Sequence, residues 1–515
     1  ITLKGDEIMQ SPSGQEVERT SAPYDPDVES SASSKRLNRN ALLNKIRWRH
    51  DGIHPGSQFA WKILRSMLRL SWYTQFRTRE QSGYETVEED RGLVALAWHT
   101  AGLIDPMAIV QSSKKRYIMV GRHDLMTRPI LGRWARAIGS QPVLRQREID
   151  EGTTDAEFAK HINERSLLTV AHTIAGGNGC VIMPEGTSQV EPRMMPLRSG
   201  PMRIALNAAA AAQSSGNKLP SIRPVGLHFR TAWEFRTDCY VEYGDEIQIS
   251  DLVDESVVSS LMDGKWAEPS RDNVNELRNR IKNTLDIMTP DADNWEEFHS
   301  WSVISHIEKS SLNQPHKKWK DEVHGIRSVR DRIRSGDLPS EIMEPAARIE
   351  KEIRLKNLDP RSIDCLGIKK GNIATPFKGI LGLLMMISML PLSIMTLPQA
   401  ILAWWLGNNS DEGLDARSTF HMMAVTFSPL VVWPFFTIPI GIWLSICYFP
   451  DYVFILTPVI ALLLMPFMHL ANILFLFGYD AVCDVVDVFN RRQLRNSKSA
   501  KSILEDISSI LVLLK

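Results

Sequence analysis

The sequence predicts an α/β fold: a mostly parallel sheet flanked by helices, then a helical insertion and a C-terminal transmembrane helical region. Three observations carry this. Short apolar runs (VALAW, RYIMVG, QPVLR, CVIMP, IRPVGLHF and CYVEYGD) alternate with helical stretches from Gly92 to about Ile249. Such alternation builds parallel strands joined by crossover helices and puts active residues at strand ends. Residues 251–371 are charged and helix-patterned, and three long apolar runs follow Phe377. The implied order is a disordered tail at 1–45, the α/β domain with an amphipathic leading helix at 46–250, and a helical extension at 251–375. Membrane helices at 376–480 and a basic cytosolic tail at 481–515 complete it.

Taken in order, the first 40 residues are rich in Ser, Asp, Glu and Pro and poor in large apolar side chains, the composition of a segment that cannot build a core. In Gln58 to Phe76, Phe59, Trp61, Ile63, Leu64, Met67, Leu68, Leu70 and Trp72 interleave with Lys62, Arg65 and Arg69, with Trp and Tyr73 at the edges. That pattern points to a helix lying in a membrane interface, with a helix facing the core of a soluble domain as the alternative. Lys plus Arg and Asp plus Glu both number 60, so no excess charge argues for nucleic acid as a partner. The five cysteines are scattered without CxxC spacing, which argues against a disulfide framework or a zinc site and fits a reducing cytosolic setting. No metal or cofactor is expected, and no secretory leader pattern is visible.

Ile380 to Leu406, Met422 to Tyr448 and Tyr452 to Phe477 each exceed the length needed for a roughly 30 Å hydrocarbon core and contain no Lys, Arg, Asp or Glu. Lys369, Lys370 and Lys378 precede the first run, and Arg491, Arg492, Arg495, Lys498 and Lys501 follow the last. Positive flanks favour the cytosolic side, so both ends belong there, which three full crossings forbid. Pro391 and Pro398 interrupt the first run. The expectation is a hairpin of two full spans plus an embedded, kinked first segment, with the catalytic domain facing the cytosol.

Chemistry is concentrated in VALAWHTAGLIDP, Val94 to Pro106. A buried strand delivers His99 into a Gly-containing turn, and Asp105-Pro106 opens a helix, with Asp105 expected as the N-cap and Pro106 at the first helical position. Six residues apart, the two would not share a helical face, but a turn can bring them together. A His oriented by a carboxylate is a general base near neutral pH. A buried His beside an ordinary helix cap gives the same pattern. A second strand, CVIM, ends in Pro184-Glu185-Gly186-Thr187. Pro196-Leu-Arg-Ser-Gly-Pro201 leads into an Ala-rich helix whose N-terminus, with Arg198, makes a phosphate seat. His172 lies on a helix with no acid nearby and reads as structural. No GxSxG, Walker or GxGxxG pattern competes.

His-x5-Asp-Pro after one strand and Pro-Glu-Gly-Thr after another resemble the glycerolphosphate and lysophosphatidate acyltransferase superfamily. The spacing, together with GSQPVLR (Gly139–Arg145), MMPLRSG (Met194–Gly200), IRPVGL (Ile222–Leu227) and TPDADNWEEF (Thr289–Phe298), is similar to the branch of fungal glycerol-3-phosphate/dihydroxyacetone-phosphate acyltransferases. The resemblance runs from about Gln58 to Tyr479; Trp98, Thr100 and Ala101 depart from the usual motif. It implies a membrane-bound O-acyltransferase of phospholipid biosynthesis, whose partners are the bilayer, an acyl thioester on CoA or acyl carrier protein, and a glycerol phosphate acceptor. It implies His99 as the base, Asp105 as its orienter, and Glu185, Gly186 and Thr187 as an acceptor motif, with Glu185 on a hydroxyl or an Arg. Arg145 and Arg198 would take the phosphate. Lysophosphatidate as acceptor, and a silent lipid-binding scaffold, are the alternatives.

Overall fold

The computed structural model describes residues 37–128, 131–372, 374–409, 414–427 and 429–515. Most of the expected disordered tail, residues 1–36, lies outside them. Its last part departs from the expectation. Arg39–Lys45 forms helix α1, capped by the Asn38 side chain, which accepts from the Ala41 N–H. Leu42 is fully buried against Leu144, Ala159 and Ile162, and those contacts order a segment whose own composition would not.

Helix α2 (Gln58–Gln75) begins at Ser57, whose hydroxyl accepts from the Ala60 N–H. It leads into β1 (Phe76–Ser82), and β2 (Leu93–Ala97) then feeds α3 (Ile104–Ser112). RYIMVG divides into β3 (Tyr117–Ile118) and β4 (Val120–Arg122). After α4 (His123–Thr127) and α5 (Leu131–Ala137) come β5 (Gln141–Val143), α6 (Gln146–Asp150) and α7 (Ala156–Ala175). The domain closes with β6 (Gly179–Ile182), α8 (Gly200–Ser214), β7 (Ser221–Phe229) and β8 (Thr237–Tyr243).

Six strands form one sheet in the order β1-β8-β7-β2-β6-β3, and β4 pairs with β5 apart from it. Every neighbouring pair is parallel except β7 with β8. That exception follows from length, because so short a connection can turn a hairpin but cannot carry a crossover. β2 lies in the middle, buried along its whole length, and its side chains alternate between two cores. Leu93, Ala95 and Ala97 join α2 and α3 on one face; Val94 and Leu96 join α7, α8 and Ile281 on the other. The apolar face of α2 (Trp61, Leu64, Leu68 and Trp72) is thus core, while Phe59 and Tyr73 stay exposed.

The extension comprises α9 (Glu255–Met262), α10 (Arg271–Met288), α11 (Trp295–Ser311), α12 (Trp319–Ser335) and α13 (Met343–Arg354). It docks on β8 and its flanks through polar anchors. The Trp319 indole donates to the His228 carbonyl at 2.9 Å, and Arg230 meets Glu322 at 2.7 Å with both side chains buried. A small hairpin, β9 (Ile363–Asp364) and β10 (Gly367–Ile368), leads to the apolar part.

That part holds α14 (Ala374–Ser393), α15 (Leu397–Asn408), α16 (Leu414–Phe427), α17 (Pro429–Tyr448) and α18 (Val453–Arg495). Three stretches, Ala374–Asn408, Arg417–Tyr448 and Pro450–Arg495, are long and apolar enough to cross a membrane. Their large side chains face outward, with Phe435 75% and Phe454 97% exposed, as a lipid solvent requires. At 43 residues α18 extends roughly 65 Å, about twice the hydrocarbon thickness, so one end must stand clear of it. The C-terminal end does so. Arg77 clasps Asp484 with two bonds of 2.8 Å, and Arg236 pairs with Asp480.

Contacts along α18 act as a depth scale. α17 runs antiparallel to its first half, with Ser445 against Thr457, Gly441 against Ala461 and Trp433 against His469. α14 runs antiparallel to its second half. Gly371 meets Val488, Gly382 meets Gly478 backbone to backbone, and the Thr396 hydroxyl donates to Asn472 at 3.1 Å. Side chains at either glycine would hold these helices apart, the role small residues play between membrane helices. The first segment therefore descends only to the level of Asn472. It breaks at Ile394–Thr396, not at Pro391, which α14 absorbs. α15, with Pro398 in its first turn, returns to pair with α16. α16 in turn packs on the domain: the Ser71 and Thr426 hydroxyls lie 2.6 Å apart, and Thr419 accepts from the Leu103 N–H at 2.8 Å.

Residues 481–515 are not a free tail. α18 runs on to Arg495, and α19 (Ser499–Leu513) packs Ile503, Ile507 and Ile510 into the core of the extension. Burying each contributes about 1.5–3 kcal/mol. Both ends of the apolar part thus sit beside the α/β domain, and among the described residues only the turn at Pro450–Tyr452 lies at the far end. Cysteines placed at Lys369 and Ser497 are expected to label from one face of sealed, oriented membranes and a cysteine at Asp451 from the other. Labelling of Lys369 and Ser497 from opposite faces would establish three crossings.

Candidate active site

β2 and β6 are neighbours and parallel, with Leu96 opposite Ile182. Three residues further on each chain stand His99 and Glu185, so strand register alone brings the two turns together. The Nδ1 of His99 lies 2.7 Å from Oδ2 of Asp105, and the imidazole is 19% exposed at the surface of the site. Asp105 is fully buried. The same Oδ2 accepts from the N–H of Thr100 at 2.7 Å and of Ala101 at 2.8 Å, while Oδ1 has no partner.

Asp105 differs from the expected helix cap. The helix opens at Ile104 with Leu103 in the cap position, and neither contributes a side-chain cap. Asp105 sits in the first turn and reaches back across the loop, so it closes the turn that carries His99. Pro106 costs nothing at this depth, because the first amides of a helix lack intrahelical partners anyway. Gly102, in the middle, has φ of +54°, the left-handed region that glycine enters freely. The Leu103 and Ile104 amides donate to Thr419 and to the Ala101 carbonyl. Among the described residues, the Gly102 N–H of this turn donates no hydrogen bond.

Glu185 does something other than hold a substrate hydroxyl or an Arg. Its Oε1 accepts from the His99 N–H at 2.7 Å and its Oε2 from the Met195 N–H at 2.8 Å, and the residue is 1% exposed. It braces the backbone of the His turn against the following loop. Gln189 N–H donates to the His99 carbonyl at 3.0 Å and completes the brace. Burial pushes the Glu185 carboxyl up to about 7 against the pull of those two amides. Gly186 has φ of +79°, and a Cβ there would stand 3.2 Å from Cγ of Arg198. Arg198, whose N–H donates to the Pro184 carbonyl at 2.8 Å, therefore lies against this turn, and Thr187 is exposed beside it.

Arg145 does not join this group. Its guanidinium and its N–H bond to Glu148, at 2.6 Å at closest, and its neighbours include His123. The acid three residues on claims it as a local ion pair. His172 is buried on α7 near His50, in keeping with a structural role. Thr419, Gln189 and Met195 escaped the sequence reading. Thr419 touches the His99 turn from more than 300 residues away, and Gln189 and Met195 act through main-chain groups that no side-chain pattern announces.

Residues 78–227 match a family model described as Acyltransferase. These residues, under a third of the chain, are similar to an acyltransferase domain. Over 148 residues the chain is 28% identical to glycerol-3-phosphate O-acyltransferase 2 of Saccharomyces cerevisiae, a match covering 28% of this chain and 18% of that one. The chain thus spans about a fifth of that relative's length. The crystal structure of the 1-acyl-sn-glycerophosphate (LPA) acyltransferase PlsC from Thermotoga maritima aligns with 42% of this chain and 79% of its own, at 14% identity. Its TM-score of 0.28 is too low to support an argument from shape. The acyltransferase match includes both β2 with His99 and β6 with Glu185.

Glu185 gives a test of this geometry. Gln in its place offers one acceptor where two amides need one each, so one buried N–H loses its partner, at about 1–3 kcal/mol. Glu185→Gln should lower the thermal midpoint of the acyltransferase domain at pH 5. A carboxyl whose pKa is raised on folding adds stability that is full below its ordinary value of 4.5 and is lost as pH rises through about 7. The deficit of the variant should accordingly shrink between pH 5 and 7.5. A deficit that stays constant over that range would show Glu185 to be ionised throughout it.

Proposed function

We propose that the protein is a membrane-bound O-acyltransferase that moves a fatty acyl group from an acyl thioester to a hydroxyl of glycerol 3-phosphate or dihydroxyacetone phosphate. The observation that carries this reading is the bond between His99 and the buried Asp105 inside the acyltransferase match. Asp105 accepts the Nδ1 proton and so leaves Nε2 as the base. Nε2 takes the proton of the acceptor hydroxyl while its oxygen attacks the thioester carbonyl. The tetrahedral oxyanion can be met by the Gly102 amide at the head of α3. The C–S bond then breaks, the ester forms, and the imidazolium returns its proton to the departing thiolate. No protein nucleophile is required.

Glu185 acts by holding the His99 backbone and so is a positioning residue. Arg198, beside Gly186, is the basic group placed to meet the acceptor phosphate. The similarity to the yeast glycerol-3-phosphate O-acyltransferase supports this choice of acceptor. The apolar helices fit a site on the cytosolic face, where an acylated product passes directly into the bilayer.

Purified protein given acyl-CoA should acylate glycerol 3-phosphate or dihydroxyacetone phosphate in preference to lysophosphatidate; a preference for lysophosphatidate would overturn the assignment. His99→Ala should cut turnover about 100-fold or more. Asp105→Asn should match it by favouring the wrong tautomer. Near-normal turnover in folded His99→Ala protein would sink the mechanism. Arg198→Ala is expected to raise the acceptor KM more than it lowers kcat, the mark of lost uniform binding.

A further inference from the structure

A cavity of about 1990 Å³ lies between the acyltransferase domain and the membrane helices. It is separate from the His99 turn yet adjoins it. Gln189, Met194 and Met195, from the loop braced by Glu185, form part of one wall. On the membrane side the wall is apolar, with Leu397, Leu430, Trp433 and Leu476 among its residues. Its size is about two to six times that of an ordinary small-molecule pocket.

Within that apolar wall several buried polar atoms lack partners: Ser393 Oγ, Gln399 Oε1, Arg417 Nε and Trp433 Nε1. Gln399 is only 7% exposed and spends its amide N–H on the Val425 carbonyl, leaving the oxygen unmet. Arg417 matters most. The domain-side arginines Arg230, Arg236 and Arg361 are all in ion pairs, with Glu322, Asp480 and Asp359. Arg417, among the described residues, has neither a hydrogen bond nor an ion pair. Glu234 is the carboxyl that faces it electrostatically, without an ion pair or hydrogen bond between the two, and burial raises the pKa of that group. A partly buried arginine beside a bilayer is costly without an anion. Arg417 stands two residues before Thr419, which holds the Leu103 amide of the His99 turn.

We infer that this chamber binds a single-chain lipid bearing a phosphate monoester, with the chain along the membrane helices and the phosphate on Arg417. Resting on the proposed function, the occupant is the acylated product on its way to the bilayer. The thioester donor fits less well, because its carrier leaves into water, whereas the product keeps one apolar chain and one phosphate. Both match the two walls.

The test uses full-length His99→Ala protein in detergent, which binds without turnover, titrated by native mass spectrometry. The probes are oleoyl lysophosphatidate, monooleoylglycerol and glycerol 3-phosphate. Lysophosphatidate should bind about 10-fold or more tighter than the uncharged lipid, a charge-assisted contact of the usual size. Arg417→Gln should remove that difference and Arg417→Lys should keep most of it. Glycerol 3-phosphate, lacking the chain, should not displace the lipid. Equal binding of the two lipids, displacement by glycerol 3-phosphate, or unchanged preference in Arg417→Gln would each overturn the inference. Should Arg417→Gln fail to fold, the lipid comparison on the Arg417-containing chain decides alone. If unmutated protein fails to acylate glycerol 3-phosphate while the lipid preference holds, the proposed function falls and the lipid-phosphate site remains.

Discussion

One buried carboxylate oxygen organises the site. Oδ2 of Asp105 receives the His99 ring and the amides of Thr100 and Ala101, so a single atom fixes both the imidazole and the turn beneath it. Hydrogen bonds to an ionised acceptor are about twice as strong as neutral ones, and burial removes water as a competitor. The arrangement also explains how Glu185 belongs to the same site through main-chain groups. With the side chain held by Asp105, the remaining freedom of His99 is translation of its backbone. Glu185 and Gln189 remove that by tying its N–H and carbonyl to the turn after β6. Catalysis by a positioned base depends on such rigidity more than on any further contact.

The membrane part is joined to the same turn by a polar contact, the bond from Leu103 N–H to Thr419. Two further clamps, Arg77 with Asp484 and Arg236 with Asp480, hold the protruding end of α18 against β1 and the β7–β8 connection. Arg236 and Asp480 are both largely buried, and a pair of this kind adds little net stability while breaking it is costly. Its value is in register: α18 cannot slide along the domain without leaving a charge uncompensated. Since α14, α17 and α18 set one another's depth by close contacts, fixing α18 fixes the whole bundle relative to His99.

Much of this was legible in the sequence because it was local. The His99–Asp105 turn is contiguous, strand alternation marked the sheet, and the basic flanks conflicted with three crossings in a way that a re-entrant α14–α15 resolves. What stayed hidden was set by partners distant in sequence or by main-chain groups. Glu185 stood out as a motif residue, yet its acceptors are amides, so the sequence could not assign its role. Arg145 reads as a phosphate ligand, while in the structure its guanidinium pairs with Glu148, three residues on. The tail after residue 480 was read by its charges, while Ile503, Ile507 and Ile510, spaced as one helical face, carried the message that it packs.

Arg417 shows the same limit from the other side. Hydropathy treats it as the polar rim of an apolar run, and there an arginine ordinarily reaches water along its flexible stem. Packing restricts that here. Gly407 approaches α16 so closely that an added Cβ would lie 3.3 Å from Cγ of Arg417, which confines the start of the side chain between α15 and α16. With α16 anchored to the domain at Ser71 and Leu103, the helix cannot rotate the charge outward without breaking both contacts. The path of α14 and α15 therefore has a consequence beyond topology: it holds a cation close to the turn that carries His99.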